Sequence, residues 1–148
     1  MNGARIVIDT SDLDRLQERL DRIAGIGFHD VLETIGAVVE SQVRRRISDD
    51  QEAPDGTPWA DWTDAYAKTR HGNNSLLMGE SHLIDSIAPD FPFKDSVEVG
   101  SNLIYAGTQQ FGNDVLGIPA RPYLGLSGDD EQEITAVIED WIEELLAA

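Results

Sequence analysis

The chain has 148 residues, 41% of them hydrophobic, a formal net charge of −17 and no cysteine. That length predicts a single domain over residues 1–148 with its own core. The missing cysteines exclude disulfides and thiolate metal sites, and the surplus of acid repels nucleic acid over most of the surface. The apolar runs are too short to span a membrane, and Met1 to Arg5 lack the apolar core of a secretory signal, so an intracellular protein is expected.

Arg5-Ile6-Val7-Ile8-Asp9 reads as a short N-terminal strand. Ser11 with Asp14 three residues later resembles a capping box, and Leu13, Leu16, Leu20 and Ile23 continue at helical spacing. Gly25-Ile26-Gly27 breaks or bends that helix. A second pattern through Val31, Ile35, Val38 and Val39 runs to Arg44-Arg45-Arg46, giving an N-terminal helical layer. The three arginines suit a solvated helix end, where cations complement the dipole, or a contact with phosphate or an acidic partner.

Residues 49–58 form a polar turn region, followed by Trp59, Trp62 and a short helix near Asp64–Lys68. Residues 70–75 have the make-up of a polar loop. Leu76, Leu77, Leu83, Ile84 and Ile87 suggest a short helix, and Ser96–Gly100 alternates like a strand. Leu103 to Phe111 reads as a helix stopped by Gly112, and Tyr123–Leu126 as another strand. A final helix starts at Asp129 or Asp130, with one apolar stripe from Ile134 to Leu146 among acids. The expected fold is α+β: a small, mostly antiparallel sheet flanked by helices, with an amphipathic C-terminal helix.

Chemistry-bearing constellations are absent from this pattern. His29, His71 and His82 are too scattered for a metal motif. There is no nucleophile elbow and no phosphate loop, so neither an enzyme nor a cofactor is expected. Trp59, Trp62 and Tyr66 suit either a loop anchor or an interface patch. The segment from Tyr105 through Gln109-Gln110-Phe111-Gly112 to Ile118-Pro119-Ala120-Arg121-Pro122-Tyr123-Leu124 is the most telling. Its two prolines stiffen the backbone, and the segment reads as a contact element carrying an exposed Arg121.

Three segments together resemble the virion-morphogenesis, or tail-completion, proteins of Mu-like phages and prophages. They are Gly56-Thr57-Pro58-Trp59 with Tyr66-Ala67-Lys68, then Leu77–Leu83 with Ser86-Ile87, and last the Tyr105–Leu124 segment. Gln109 stands where that family commonly has histidine, which speaks against a catalytic or metal role there. The resemblance implies a structural protein in the neck or head-proximal tail of the virion, present in the host cytoplasm during assembly. It also implies contacts with tail-tube and head-connector proteins, and self-association into a ring, often hexameric. Neither sequence-specific nucleic acid nor membrane is expected as a partner. The candidate contact residues are Arg121, Pro119, Pro122, Tyr123, Phe111, Trp59, Arg44, Arg45 and Arg46. Charge alone also permits an acidic regulatory or inhibitor protein that mimics nucleic acid and binds a basic partner, although the apolar pattern and the Pro119–Pro122 segment lend that rival no support.

Overall fold

The computed structural model describes residues 9, 11–25, 27–69, 75–79 and 82–147. The expected strand over residues 5–8 and the polar loop over 70–74, with His71, lie outside the described residues. Among the described residues the chain is α+β, with six α-helices and one two-stranded antiparallel sheet.

Two separate helices come first, α1 (Ser11–Gly25) and α2 (His29–Arg45). Ser11 is already helical in α1. The cap-like acceptor is Asp9, whose Oδ1 takes the Ser11 amide proton at 3.0 Å, so Asp9 replaces Ser11 in the expected role. That hydrogen bond holds the Asp9 carboxyl below its ordinary value. Helix α2 does not stop at its arginines. It continues as a π-helical turn, Arg46–Asp50, closed by Gln51 in the left-handed conformation with its amide donating to Arg46 O at 2.8 Å.

Two short helices follow, α3 (Asp64–Ala67) and α4 (His82–Ser86). Leu76 and Leu77, expected in the latter helix, sit in the turn before it. The hairpin comes next, β1 (Ala88–Phe93) and β2 (Ser96–Gly100), with Ala88 opposite Gly100 and Asp90 opposite Glu98. Strand β1 contains Pro89 and Pro92, which contribute no N–H. A two-stranded sheet has only edges, so the missing donors need not interrupt a ladder.

Helix α2 is the central element, packed on the hairpin and on the C-terminal helix α6 (Gly128–Ala147). Gly36 permits the first contact. A Cβ there would stand 3.0 Å from Pro89 Cβ and from Val97 Cγ2. The second contact is antiparallel, with Phe28 against Trp141 at one end (ring centroids 5.6 Å) and Gln42 near Asp130 at the other. Below the C-terminal half of α2, Val43 and Ile47 join Trp59, Leu83, Ile87 and Tyr123 in the buried core.

The start of α6 is capped by Ser127, one residue before the helix. Ser127 Oγ accepts the Asp130 amide at 3.1 Å, and Asp130 Oδ2 accepts the Ser127 amide at 2.9 Å. This reciprocal pair is a capping box. Only the inner part of the apolar stripe is covered. Ile134, Val137, Trp141 and Leu145 are half-buried, whereas Ile138, Ile142 and Leu146 stay exposed.

The three arginines part company at the end of α2. Arg44 pairs with Glu40 at 2.8 Å and donates to Ile87 O at 3.0 Å. Arg45, half-exposed, lies 3.7 Å from Asp130 and 3.8 Å from Glu133. Arg46 is buried, contrary to the expected solvated or partner-facing end, because the π-turn carries the chain onward at that point. Its Nη1 donates to Tyr123 O (2.9 Å) and Gly125 O (3.1 Å), and its Nη2 to Asp130 Oδ2. These carbonyls are thereby spent on a side chain, and residues 123–126 form no strand.

Removing one partner of such a buried pair strands the other charge. Arg46→Met is expected to destabilise the protein by about 3–5 kcal/mol in urea unfolding. Arg45→Ala, at the half-exposed pair, is expected to cost under about 1 kcal/mol.

Candidate functional site

The segment that stood out in the sequence begins at α5 (Ala106–Phe111), three residues shorter at its start than expected. The helix ends at Gly112, whose φ of 75° and tight surroundings both demand glycine. A Cβ there would lie 2.7 Å from Ala120 N and 2.8 Å from Ile118 O. From this corner the chain makes a narrow loop, closed by paired backbone bonds between Asn113 and Ile118 at 2.8 and 2.9 Å. The side chain of Asn113 accepts the Leu116 amide at 3.1 Å, which fixes the tip from within.

The returning strand of the loop is anchored rather than displayed. Arg121 is only 7% exposed. Its Nε donates to Ala60 O at 2.8 Å and its Nη2 to Asp61 O at 3.3 Å, while its backbone amide donates to Gln109 O at 2.8 Å. Burial lowers its pKa from the ordinary value, and the charge of Asp61 works against that shift. The expected exposed arginine is therefore corrected: the guanidinium is turned inward onto the carbonyls of Ala60 and Asp61 in the tryptophan loop. Trp59 answers from the other side, its Nε1 donating to Pro122 O at 2.9 Å.

Gln110 and Tyr123 complete the clasp. Gln110 Oε1 accepts the amides of Tyr123 and Leu124, both at 3.0 Å. The Tyr123 ring is buried in the core, and its hydroxyl donates to Ala106 O at 2.9 Å. Burial raises the Tyr123 pKa above its ordinary 10.0, and the nearby Tyr105 adds to the shift. Trp59 and Tyr123, both named as candidate contacts, thus lie in the interior of the chain's own fold. Pro119 is exposed and Pro122 half-buried.

The outward face of the same segment is apolar. Phe111 is 81% exposed, Val115 95% and Leu116 69%, with Ile104 fully exposed nearby in sequence. Phe111 was among the candidate residues. Val115 and Leu116 were missed, although two aliphatics between Asn113-Asp114 and Gly117 are a readable sign of an apolar turn tip. Beside the tip lies an open groove of about 680 Å³, walled by Trp62, Tyr66, Leu77, Tyr105 and Leu116, with Arg121 on its lining. Trp62 and Tyr66 meet edge to face across 6.0 Å. Among the described residues, no three His, Asp or Glu side chains converge to hold a metal ion. No helix among them is long and apolar enough to cross a membrane.

A hydrogen-bonded frame thus carries exposed apolar side chains at Phe111, Val115 and Leu116. Residues 8–143 match the model of the phage virion morphogenesis family, and the chain belongs to that family. It is 31% identical over 134 residues to protein G of Escherichia phage Mu, whose name links it to capsid assembly; the match spans 83% of this chain and 85% of that protein. It is 26% identical over 140 residues to Mu-like prophage FluMu G protein 1 of Haemophilus influenzae, covering 90% and 93% of the two chains. FluMu G protein 2 of the same organism is also 26% identical, over 148 residues, covering 95% and 99%. No solved structure matches the chain. The role is thus structural, in building the virion.

Gly112→Ala is expected to cost at least about 1–3 kcal/mol from backbone strain alone, with the contact at Ala120 adding to it, as read by thermal unfolding. Tyr123 supplies a pH test. Its folded pKa lies above its unfolded one, so its contribution is intact below pH 10.0 and is lost as pH climbs through the raised value. Tyr123→Phe is expected to flatten that alkaline loss while costing about 1 kcal/mol at neutral pH.

Proposed function

We propose that this chain is a non-enzymatic assembly protein that completes the phage tail or joins it to the head. It acts through contacts between its own copies in a ring and with tail-tube and head-connector proteins. The observation that carries this reading is the loop tip: Phe111, Val115 and Leu116 are exposed on a corner braced by Gly112 and the Arg121 clasp. Exposed aliphatics and aromatics on a stiff support bind a partner with little ordering cost. A flexible loop would lose more entropy on docking.

The charge supports the same reading. A net charge of −17 keeps DNA from sticking to a surface it must pass, which suits a ring at the neck of a filled particle. The groove beside the tip, with its aromatic walls, offers a seat for an apolar segment of a neighbouring protein.

Particles assembled without this protein are expected to show filled heads with unattached or abnormal tails by electron microscopy. Normal joined particles in its absence would overturn the reading. A Val115→Asp, Leu116→Asp double variant is expected to unfold at the wild-type temperature, since both side chains are exposed, and to lower the yield of joined particles at least tenfold.

A further inference from the structure

Helix α1 has an apolar stripe that none of the described residues buries. Leu13, Leu16, Leu20 and Ile23 are all exposed, and none of the fifteen residues of the helix is buried. At 3.6 residues per turn these four share one face. Arg15, Arg19 and Arg22 run along one edge of that face, joined by Asp12, which lies 3.4 Å from Arg15. Asp14, Glu18 and Asp21 fall on the opposite edge.

A second stripe is uncovered on α6. Ile138, Ile142 and Leu146 are exposed, displaced about a quarter-turn from the half-buried residues that face α2. Glu139 and Glu143 flank this stripe on its outer side, and residues 129–148 contain no basic side chain. Phe28, also exposed, leans on Trp141 and extends the apolar surface toward the start of α2.

The two stripes match in chemistry and differ in sequence. One is apolar with a basic edge on one side and an acidic edge on the other, while the second is apolar with acid alone beside it. Every copy carries one of each, which is the requirement for a head-to-tail contact that repeats around a ring. We propose that α1 of one copy lies along α6 of the next, leucines on isoleucines, with Arg15, Arg19 and Arg22 facing Glu139 and Glu143. The occupant of the α6 stripe is thus a second copy of this chain. This contact rests on the assembly reading above and names the surface by which copies join.

The absence of native cysteine makes the test clean. Two single variants, Leu20→Cys and a tagged Ile142→Cys, are produced together in cells assembling particles, and the purified particles are oxidised. The expected product is a mixed disulfide between tagged and untagged chains. Arg19→Glu with Arg22→Glu should cut that product at least tenfold, and Glu139→Arg with Glu143→Arg in the partner should restore it. Failure of the mixed pair to form overturns the proposal, as does a product consisting only of Leu20→Cys homodimers. So does cross-linking confined within single chains of the double variant Leu20→Cys/Ile142→Cys. In those outcomes joined particles that still require the protein leave the assembly reading standing. That reading fails separately, if particles form normally with the whole chain removed.

Discussion

The fold depends on one buried cation. Arg46 reaches from the end of α2 to the carbonyls of Tyr123 and Gly125 and to the carboxylate that caps α6. A single guanidinium thereby ties the end of α2 to two neighbouring pieces of chain, residues 123–125 and the start of α6, that lie 77 or more residues further on. Its planar fork of donors is what allows this, since a lysine would offer a point charge without the geometry. Burial raises the stakes. Each group is satisfied only while the others are in place, so helix end, motif and C-terminal helix hold together as a unit. Asp130 has two duties, accepting from Arg46 and from the Ser127 amide, and replacing the ion pair with apolar residues would leave the Ser127 amide without its acceptor and the capping box half made.

The same logic extends outward through the second buried arginine. Arg121 ties the returning strand of the 113–118 loop to the tryptophan loop, and Trp59 ties it back. The distinctive proline–arginine segment is therefore framework. Polar groups are spent internally, and what is left facing outward is the apolar tip at Phe111, Val115 and Leu116. This division accounts for a protein that is strongly acidic overall yet carries discrete apolar surfaces.

Elements with a clear period were legible in the sequence. The stripe from Ile134 to Leu146 gave α6, Val31 to Val39 gave most of α2, and the alternation Ser96–Gly100 gave β2. Strand β1 was hidden because Pro89 and Pro92 ordinarily argue against a strand, and they are tolerated here because both strands are edges and the register shifts between Asp90 and Phe93. Residues 123–126 looked like a strand from composition, but their carbonyls are claimed by Arg46, a partner 77 residues or more away that no local pattern reveals. The burial of Arg46 and Arg121 was illegible for a related reason: arginine usually lies at the surface, and apart from the Asp130 carboxylate the acceptors here are backbone carbonyls, which carry no sequence signature. The Ser127 cap could have been read from Ser-x-x-Asp, and was passed over for the acids that follow it.

The central claim is that Arg121 braces the chain's own fold from within and is not itself spent on a partner. Chemical unfolding of the isolated Arg121→Gln protein tests this directly. The account predicts a loss of about 1–3 kcal/mol, from carbonyls at Ala60 and Asp61 left without their donor. An unchanged unfolding free energy, together with a failure to support particle assembly, would contradict it and return Arg121 to the surface as a contact residue.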